Sequence, residues 1–296
     1  MNNAQPPVPP YFTVPNVGKI PAHVPYCYAS IVSFWSWYQV DAKKLEKYLT
    51  GTGLKVATFE GKGLVNFDFM FYAGHGGQQN NFKDSPGVTA TTEVELNIVA
   101  YPEKDALLVP NGLTAQEFIL GEDQTKRYGV YRLYVPCDSI FAIAAGSQLF
   151  GEWGKFLANF VYDVPTPNNP DRKTWDFAVY DTANKNPGVQ GLIFNAKANL
   201  QGCLPIVGNG AAITDFGIMK KNAKDKGRLI ASRRNYFAIQ ETYLPENGAF
   251  DFKVTFGKSS NPMRKDMEAI IGKTKPFALQ TVISPPVIAE ARPYYV

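Results

Sequence analysis

The stretch LVNFDFMFY, residues 64–72, decides the fold class, because its side chains alternate with the two-residue period of a β-strand. One face is entirely apolar and carries Val65, Phe67, Phe69 and Phe71. The other face is mixed and carries Asn66, Asp68, Met70 and Tyr72. We expect the apolar face in the core. The mixed face either lines a cavity, with Asp68 as an acid or base, or faces water, as one face of an antiparallel sheet commonly does.

Residues 91–101 show a second alternating pattern. Their polar face carries Thr91, Glu93, Glu95 and Asn97. Glu93 and Glu95 are therefore candidate site acids, and the sequence does not choose between them. Taken alone, both patterns favour a solvated polar face over a cavity.

The rest of the chain is predicted to be rich in strands. Further strands are expected at residues 28–38, 54–59, 128–135, 158–164, 174–181, 189–194, 228–243, 250–256, 277–283 and 287–296. Short helices are expected after Asp41, after the capping box that starts at Thr114, over residues 141–150, and between Asn261 and Gly272.

This pattern predicts an α+β, mainly β fold. Residues 26–296 are expected to form a single domain, because no linker separates them into two. Residues 1–25 carry many prolines and are expected to form an extended arm of polyproline II or coil. A closed or nearly closed antiparallel sheet would protect the edges of so many strands.

The composition argues against several classes of protein. The net charge of +4 over 296 residues does not suggest a nucleic-acid partner, and no apolar run has the length of a membrane span. Two histidines and three widely spaced cysteines give no metal motif and no disulfide framework. No dinucleotide or phosphate-loop motif is present, so we expect no cofactor. The composition as a whole predicts a cytoplasmic protein without a metal or a membrane partner.

Residues 142–159, AIAAGSQLFGEWGKFLAN, contain a single lysine in an aromatic and aliphatic stretch. Burial would lower the pKa of Lys155, and a neutral amine can attack a carbonyl to form a Schiff base. The residues alone favour the alternative, in which Lys155 reaches solvent or pairs with Glu152. If the segment is a site, the neighbouring side chains of Gln148, Phe150 and Trp153, with Tyr72 from the mixed strand face, are expected to bind substrate.

Several segments together resemble the acetoacetate decarboxylase-like superfamily. They are IVSF at 31–34, LTGTGL at 49–54, GLVNFDF at 63–69, GE at 151–152 followed by KFLA at 155–158, and SPPVIAE at 284–290. The resemblance spans residue 28 to the C-terminus and is weakest over 163–230. It implies an antiparallel, cone-like β-barrel and a homo-oligomer. It also implies that Lys155 is the Schiff-base lysine, that Asp68 stands where the family has a glutamate, and that Glu93 or Glu95 stands near a second one.

The sequence departs from the decarboxylases at the site. Phe156 follows Lys155 where they have a second lysine, and Trp153-Gly154 lengthens the segment by one residue. Their early-strand arginine has no counterpart, and the pair Arg233-Arg234 is expected at the surface. The prediction is a lyase that acts on an oxo acid or related carbonyl compound, by decarboxylation or by aldol or dehydratase chemistry. The alternative is an inactive barrel that binds a small molecule.

Overall fold

The computed structural model describes residues 11–22, 24–76, 89–166, 168–169, 171–182, 191–209, 212–220, 226–235, 239–247, 250–284, 287–288, 291 and 293–296. The first half contains the strands β1 (Tyr11–Val14), β2 (Gly18–Pro21), β3 (Tyr26–Val40), β4 (Leu54–Val56), β5 (Thr58–Phe59), β6 (Lys62–Gly76), β7 (Thr89–Pro102) and β8 (Gly129–Cys137). The second half contains β9 (Lys155–Asp163), β10 (Thr174–Asp181), β11 (Leu192–Asn199), β12 (Ile206–Asn209), β13 (Ile213–Met219), β14 (Arg228–Arg234), β15 (Ile239–Tyr243), β16 (Asp251–Phe256), β17 (Ala278–Ser284), β18 (Val287–Ile288) and β19 (Tyr294–Tyr295).

Four α-helices lie among these strands in the described part of the chain: α1 (Lys43–Leu49), α2 (Ala115–Ile119), α3 (Ile140–Leu149) and α4 (Pro262–Ile271). The Thr114 capping box at the start of α2 is confirmed, and so is the Asn261 cap of α4. None of the helices in the described ranges is long and apolar enough to cross a membrane.

The strands form a strongly curled sheet that builds a barrel-shaped wall, so the mainly β fold is confirmed. Its centre is the antiparallel run β3-β6-β7-β8, and β17, β15 and β12 extend the sheet beyond β3. Asp68 of β6 lies between Trp35 of β3 and Glu95 of β7 in the register. Long strands therefore carry the two predicted acid positions side by side.

The sheet divides at β8. On the edge away from β7, β8 pairs in parallel with two different strands. Near its start β8 pairs with β13, and near its end it pairs with β9. The helix α3 lies in the chain between β8 and β9, which is the crossover that a parallel pair requires. The expected barrel is thus antiparallel except at these two pairings. The β8-α3-β9 unit brings Lys155, the first residue of β9, opposite Val135.

The apolar face of β6 packs in the core, as predicted. Phe67 and Phe69 are fully buried and contact Phe177, while Phe67 also contacts Phe194. The polar face is buried as well, because Asp68, Glu93 and Glu95 are at most 4% exposed. The solvated alternative for these two strands is therefore wrong. Arg234 of β14 pairs with Asp68 and Glu95 of this face, and Asp215 of β13 pairs in turn with Arg234.

Residues 11–21 are not the extended arm that the prolines suggested. They form the antiparallel hairpin β1-β2, which packs Phe12 and Val14 on α3. Gln148 of α3 accepts a hydrogen bond from the Thr13 amide at 3.0 Å and donates one to the Thr13 carbonyl at 2.8 Å. These bonds and the apolar contacts stabilise the hairpin despite its proline-rich surroundings.

Candidate active site

Lys155 is buried among carboxylates at the start of β9. Its side chain is 5% exposed, and its Nζ lies 2.8 Å from Glu93 Oε2 and 3.2 Å from Glu152 Oε2. Glu93 is on the polar face of β7, and Glu152 belongs to the turn between α3 and β9. The expectation of an exposed lysine is wrong, whereas the pairing with Glu152 is present.

Glycines make room for this arrangement. A Cβ atom on Gly146 of α3 would lie 2.5 Å from Glu152 Oε2 and 2.9 Å from the Lys155 Cδ. Gly154 is in equally close contact, because a Cβ there would lie 2.1 Å from the Leu133 carbonyl oxygen. Gly146 therefore lets α3 approach the lysine, and Gly154 lets the following turn pack closely against β8.

Tyr72 and Glu93 complete the immediate surroundings of the lysine. The Tyr72 hydroxyl donates a hydrogen bond to Glu93 Oε2 at 3.3 Å. Burial, followed by the nearby Glu93 charge, raises the pKa of Tyr72 well above its ordinary value. Tyr72 is therefore a neutral donor that can orient Glu93.

A layer of buried charged side chains crosses the barrel interior beside Lys155, and we call it the ionic layer. It consists of residues at most 6% exposed, namely Asp68, Glu95, Arg132, Asp215 and Arg234. Arg132 Nε lies 2.8 Å from Glu95 Oε1, and its Nη2 lies 3.2 Å from Asp215 Oδ2. Its Nη1 pairs with Glu152, which links the ionic layer to Lys155.

Arg234 is the second arginine of the ionic layer. Its Nε and Nη2 lie 2.9 and 3.0 Å from the two oxygens of Asp215, which is a bidentate pair. It also lies 3.4 Å from Glu95 and 4.0 Å from Asp68. The expectation that Arg233 and Arg234 form a surface pair is wrong for Arg234, because β14 directs this residue into the barrel.

The charges decide the protonation of Lys155. Burial is the largest single effect and lowers the pKa of the Lys155 ammonium, but the charge and the hydrogen bond of Glu93, together with other neighbouring groups, raise this pKa above its ordinary value. The expected fall in pKa is therefore wrong. A carboxylate within hydrogen-bond distance favours the ammonium form, whereas burial opposes it.

The pKa values of two acids in the ionic layer are shifted in opposite directions. Burial raises the pKa of Asp68 well above its ordinary value, and the nearby Glu95 charge adds to the rise. Burial would also raise the pKa of Glu95, but Arg132 and Arg234 lower it to about 2. Glu95 is therefore a carboxylate at neutral pH, whereas Asp68 keeps its proton to a higher pH than an ordinary aspartate.

A cavity of about 90 Å³ opens at Lys155. Because one water needs about 10–15 Å³ of such space, the cavity holds several waters or a small organic molecule. Its polar lining includes Glu93, Glu152 and Arg132, and α3 contributes Ala142, Ala145 and Gly146 at helical spacing. Aromatic side chains form much of the remaining wall, namely those of Phe12, Tyr26, Tyr28, Tyr72, Phe141 and Phe150.

The predicted substrate-binding residues divide into two groups. Tyr72 and Phe150 line the cavity. Gln148 does not, because it lies on another face of α3 and bonds to the hairpin. Trp153 is 48% exposed, and its indole nitrogen donates to the Ile218 carbonyl at 2.6 Å. The prediction that these two side chains line the cavity is therefore wrong.

The predicted acids also separate. Glu93 contacts Lys155, whereas Glu95 lies in the ionic layer. Asp68 lines a second cavity of about 60 Å³ on the other side of this layer, together with Trp35, Asn97 and Gln240. The sequence offered no choice between Glu93 and Glu95, and the structure assigns Glu93 to the lysine.

Sequence reasoning missed Arg132 and Asp215. A lone arginine inside the apolar strand pattern GVYRLYVPC was the available signal for Arg132. Asp215 belongs to β13, which no prediction included. Among the described side chains, no group of three or more His, Cys, Asp or Glu residues is placed to hold a metal ion. The side chain of His75, one of the two histidines of the chain, lies outside the described residues.

Comparison with known proteins identifies the fold. No protein-family model matches the chain, and no curated protein matches it in sequence. Solved structures do match. An acetoacetate decarboxylase-like enzyme from Sphingomonas wittichii RW1 is 14% identical with a TM-score of 0.56, and the match covers 92% of each chain.

Two further structures match to a similar degree. An acetoacetate decarboxylase is 15% identical with a TM-score of 0.58, covering 93% of this chain and 90% of the other. The enduracididine biosynthesis enzyme MppR, complexed with the condensation product of pyruvate and imidazole 4-carboxaldehyde, is 12% identical with a TM-score of 0.58. That match covers 93% of this chain and 88% of MppR. At these identities the likeness concerns the fold.

Proposed function

We propose that this chain, which has the acetoacetate decarboxylase-like fold, is a lyase that binds a small carbonyl substrate as a Schiff base on Lys155. One observation carries the proposal: a buried lysine at the wall of a cavity lies 2.8 Å from a carboxylate that can take its proton. An amine nucleophile with an adjacent base is the arrangement that covalent catalysis on carbonyl compounds requires.

The first step is a proton transfer. Lys155 rests as an ammonium, so its nitrogen has no free electron pair until a proton moves to Glu93. The resulting amine attacks the carbonyl carbon, and a new C–N bond forms while the carbonyl π electrons move to oxygen. Proton transfer from nitrogen and from Glu93 converts that oxygen to water, which leaves. The product is a protonated imine, and no net proton is gained or lost.

The protonated imine withdraws electrons from the neighbouring carbon. Decarboxylation and cleavage of an aldol bond can follow from it, since each leaves an electron pair on that carbon. Loss of a β-hydroxyl group can also follow, once a base removes a proton from that carbon and the resulting enamine expels the protonated hydroxyl group as water. The structural neighbours include both decarboxylases and an enzyme crystallised with a condensation product. Tyr72 supports the proposal, because its hydroxyl holds Glu93 beside the reacting nitrogen.

The proposal is tested by reductive trapping. The protein is incubated with acetone, pyruvate or benzaldehyde and with cyanoborohydride, and the peptides are analysed by mass spectrometry. We expect the reduced adduct on the peptide that contains Lys155. The Lys155→Ala variant is expected to lose this adduct.

Lys126 provides a demanding control. Burial lowers the pKa of its ammonium, so it is a competing nucleophile that is outside the Lys155 cavity. The Lys126→Ala variant should keep the adduct on Lys155. Labelling of Lys126 in place of Lys155 would contradict the proposal. A ligand that binds wild type and Lys155→Ala equally, without an adduct, would identify the chain as an inactive binding barrel.

A further inference from the structure

We infer that the substrate of Lys155 carries no carboxylate on the part that enters the cavity, so that the site takes a neutral aldehyde or ketone. This inference rests on the proposed Schiff base, and it names the substrate class of the same site. It is carried by the charge balance of the barrel interior and by the walls of the cavity.

The described residues around Lys155 hold more acid than base. The cations are Lys155, Arg132 and Arg234, and the carboxylates paired with them are Glu93, Glu95, Glu152 and Asp215. Asp68 adds no charge while it is protonated. Among these residues one negative charge is therefore in excess, and a substrate carboxylate would add a second.

The arginines are already engaged by the protein. All three nitrogens of Arg132 face carboxylates, those of Glu95, Glu152 and Asp215. Arg234 forms a bidentate pair with Asp215 and faces Glu95 with its remaining nitrogen. A substrate carboxylate could bind either guanidinium only by displacing a buried protein carboxylate, which would lose one of its charged partners while remaining buried.

The two acids that contact Lys155 disfavour a substrate carboxylate next to the reacting carbonyl. Glu93 and Glu152 both contact the Lys155 nitrogen. A carboxyl group attached to the reacting carbonyl would therefore lie close to both acids. Like charges repel strongly at such distances in a buried site. The remaining wall is largely aromatic, with Tyr26, Phe141 and Phe150 among its members, which suits an apolar carbonyl compound.

A neutral substrate favours cleavage of an aldol bond over decarboxylation. In that reaction a base removes the proton of the β-hydroxyl group, and the Cα–Cβ bond breaks with its electrons moving to the imine nitrogen. An aldehyde leaves, and an enamine remains on Lys155. The enamine takes a proton at carbon, and water then hydrolyses the imine to release the ketone and the free lysine.

The test compares pyruvate with pyruvamide. Both are activated 2-oxo compounds of nearly equal size, but the amide is neutral. The readout is the concentration that gives half-maximal cyanoborohydride labelling of Lys155 in the wild-type protein. We expect this concentration to be at least about tenfold lower for pyruvamide, because only pyruvate brings a charge beside Glu93 and Glu152.

A charge variant sharpens the comparison. Glu152→Gln removes one negative charge, so the preference for pyruvamide is expected to fall severalfold. Asp105→Asn removes an acid that pairs with Arg127 away from the site, and it should leave the preference unchanged. Equal or tighter labelling by pyruvate in the wild-type protein would overturn the substrate class while supporting the Schiff base. Failure of both compounds to label Lys155 would overturn the Schiff base and the substrate class together.

Discussion

At the scale of single residues, the site contains two neighbouring acids whose pKa values are shifted in opposite directions. Asp68 and Glu95 are paired in register on β6 and β7, yet the arginines stabilise the charge of Glu95 and burial suppresses that of Asp68. The difference arises from position, because both Arg132 and Arg234 lie closer to Glu95 than Arg234 lies to Asp68. We therefore expect the two acids to affect the free energy of unfolding in different ways.

Replacement of the two acids by their amides should therefore have opposite consequences. The folded protein keeps the Asp68 proton at a pH where the unfolded chain has released it, so Asp68 lowers stability as pH rises above about 4. Asp68→Asn removes this loss, and at pH 7 it is expected to be at least as stable as wild type. The free energy of unfolding, measured in urea from pH 3 to 7, checks this.

Glu95→Gln serves as the matched comparison. It removes one charged partner from each of the two buried arginines, and breaking a buried ion pair costs about 3–5 kcal/mol. The pKa of Glu95 is lowered to about 2, so its contribution is present at neutral pH and is lost as pH falls from the ordinary carboxyl range towards 2. The difference from wild type should therefore shrink in acid. Equal destabilisation by both amides at pH 7 would contradict the assignment.

At the scale of elements, α3 has two functions that the sequence did not separate. One face lines the cavity with Ala142, Ala145 and Gly146, and Gln148 on another face binds the hairpin. The sequence predicts a site in this segment, but its composition alone does not separate the residues of α3 that line the cavity from those that pack elsewhere. For this reason the prediction placed Gln148 at the substrate.

Gln148→Ala should loosen the hairpin. It removes two hydrogen bonds to Thr13, each worth roughly 1 kcal/mol net, so the Thr13 amide should exchange about thirtyfold faster with deuterium. Hydrogen exchange measured by NMR checks this. Gln124→Ala removes a bond to Gly121 in a distant loop and should leave Thr13 unchanged. Unchanged exchange in Gln148→Ala would show that apolar contacts alone hold the hairpin.

The strands show how far local sequence patterns reach. Alternation predicted both faces of β6 and β7, because the period of a strand is a local property. It did not predict that the polar faces are buried, because their cover comes from β13 and β14, more than a hundred residues later in the chain. Burial of a polar face depends on these distant strands, and β13 was not predicted.

At the scale of the whole molecule, the barrel interior is divided by charge. The ionic layer separates the cavity at Lys155 from the second cavity beside Asp68. Its members come from five strands, namely β6, β7, β8, β13 and β14. The resemblance to the decarboxylase-like proteins predicted the barrel, the lysine and candidate acids, but the charge balance also depends on Arg132, Asp215 and Arg234, to which the resemblance assigned no role.

The central claim is that Lys155 bonds covalently to a carbonyl carbon, and oxygen exchange tests it most directly. Imine formation expels the carbonyl oxygen as water, and hydrolysis restores it from solvent, so a Schiff base exchanges this oxygen even without further reaction. The measurement is the loss of ¹⁸O from labelled acetone, followed by mass spectrometry. We expect wild-type protein to accelerate the loss and Lys155→Ala to match buffer alone. Equal rates for wild type and Lys155→Ala would contradict the account.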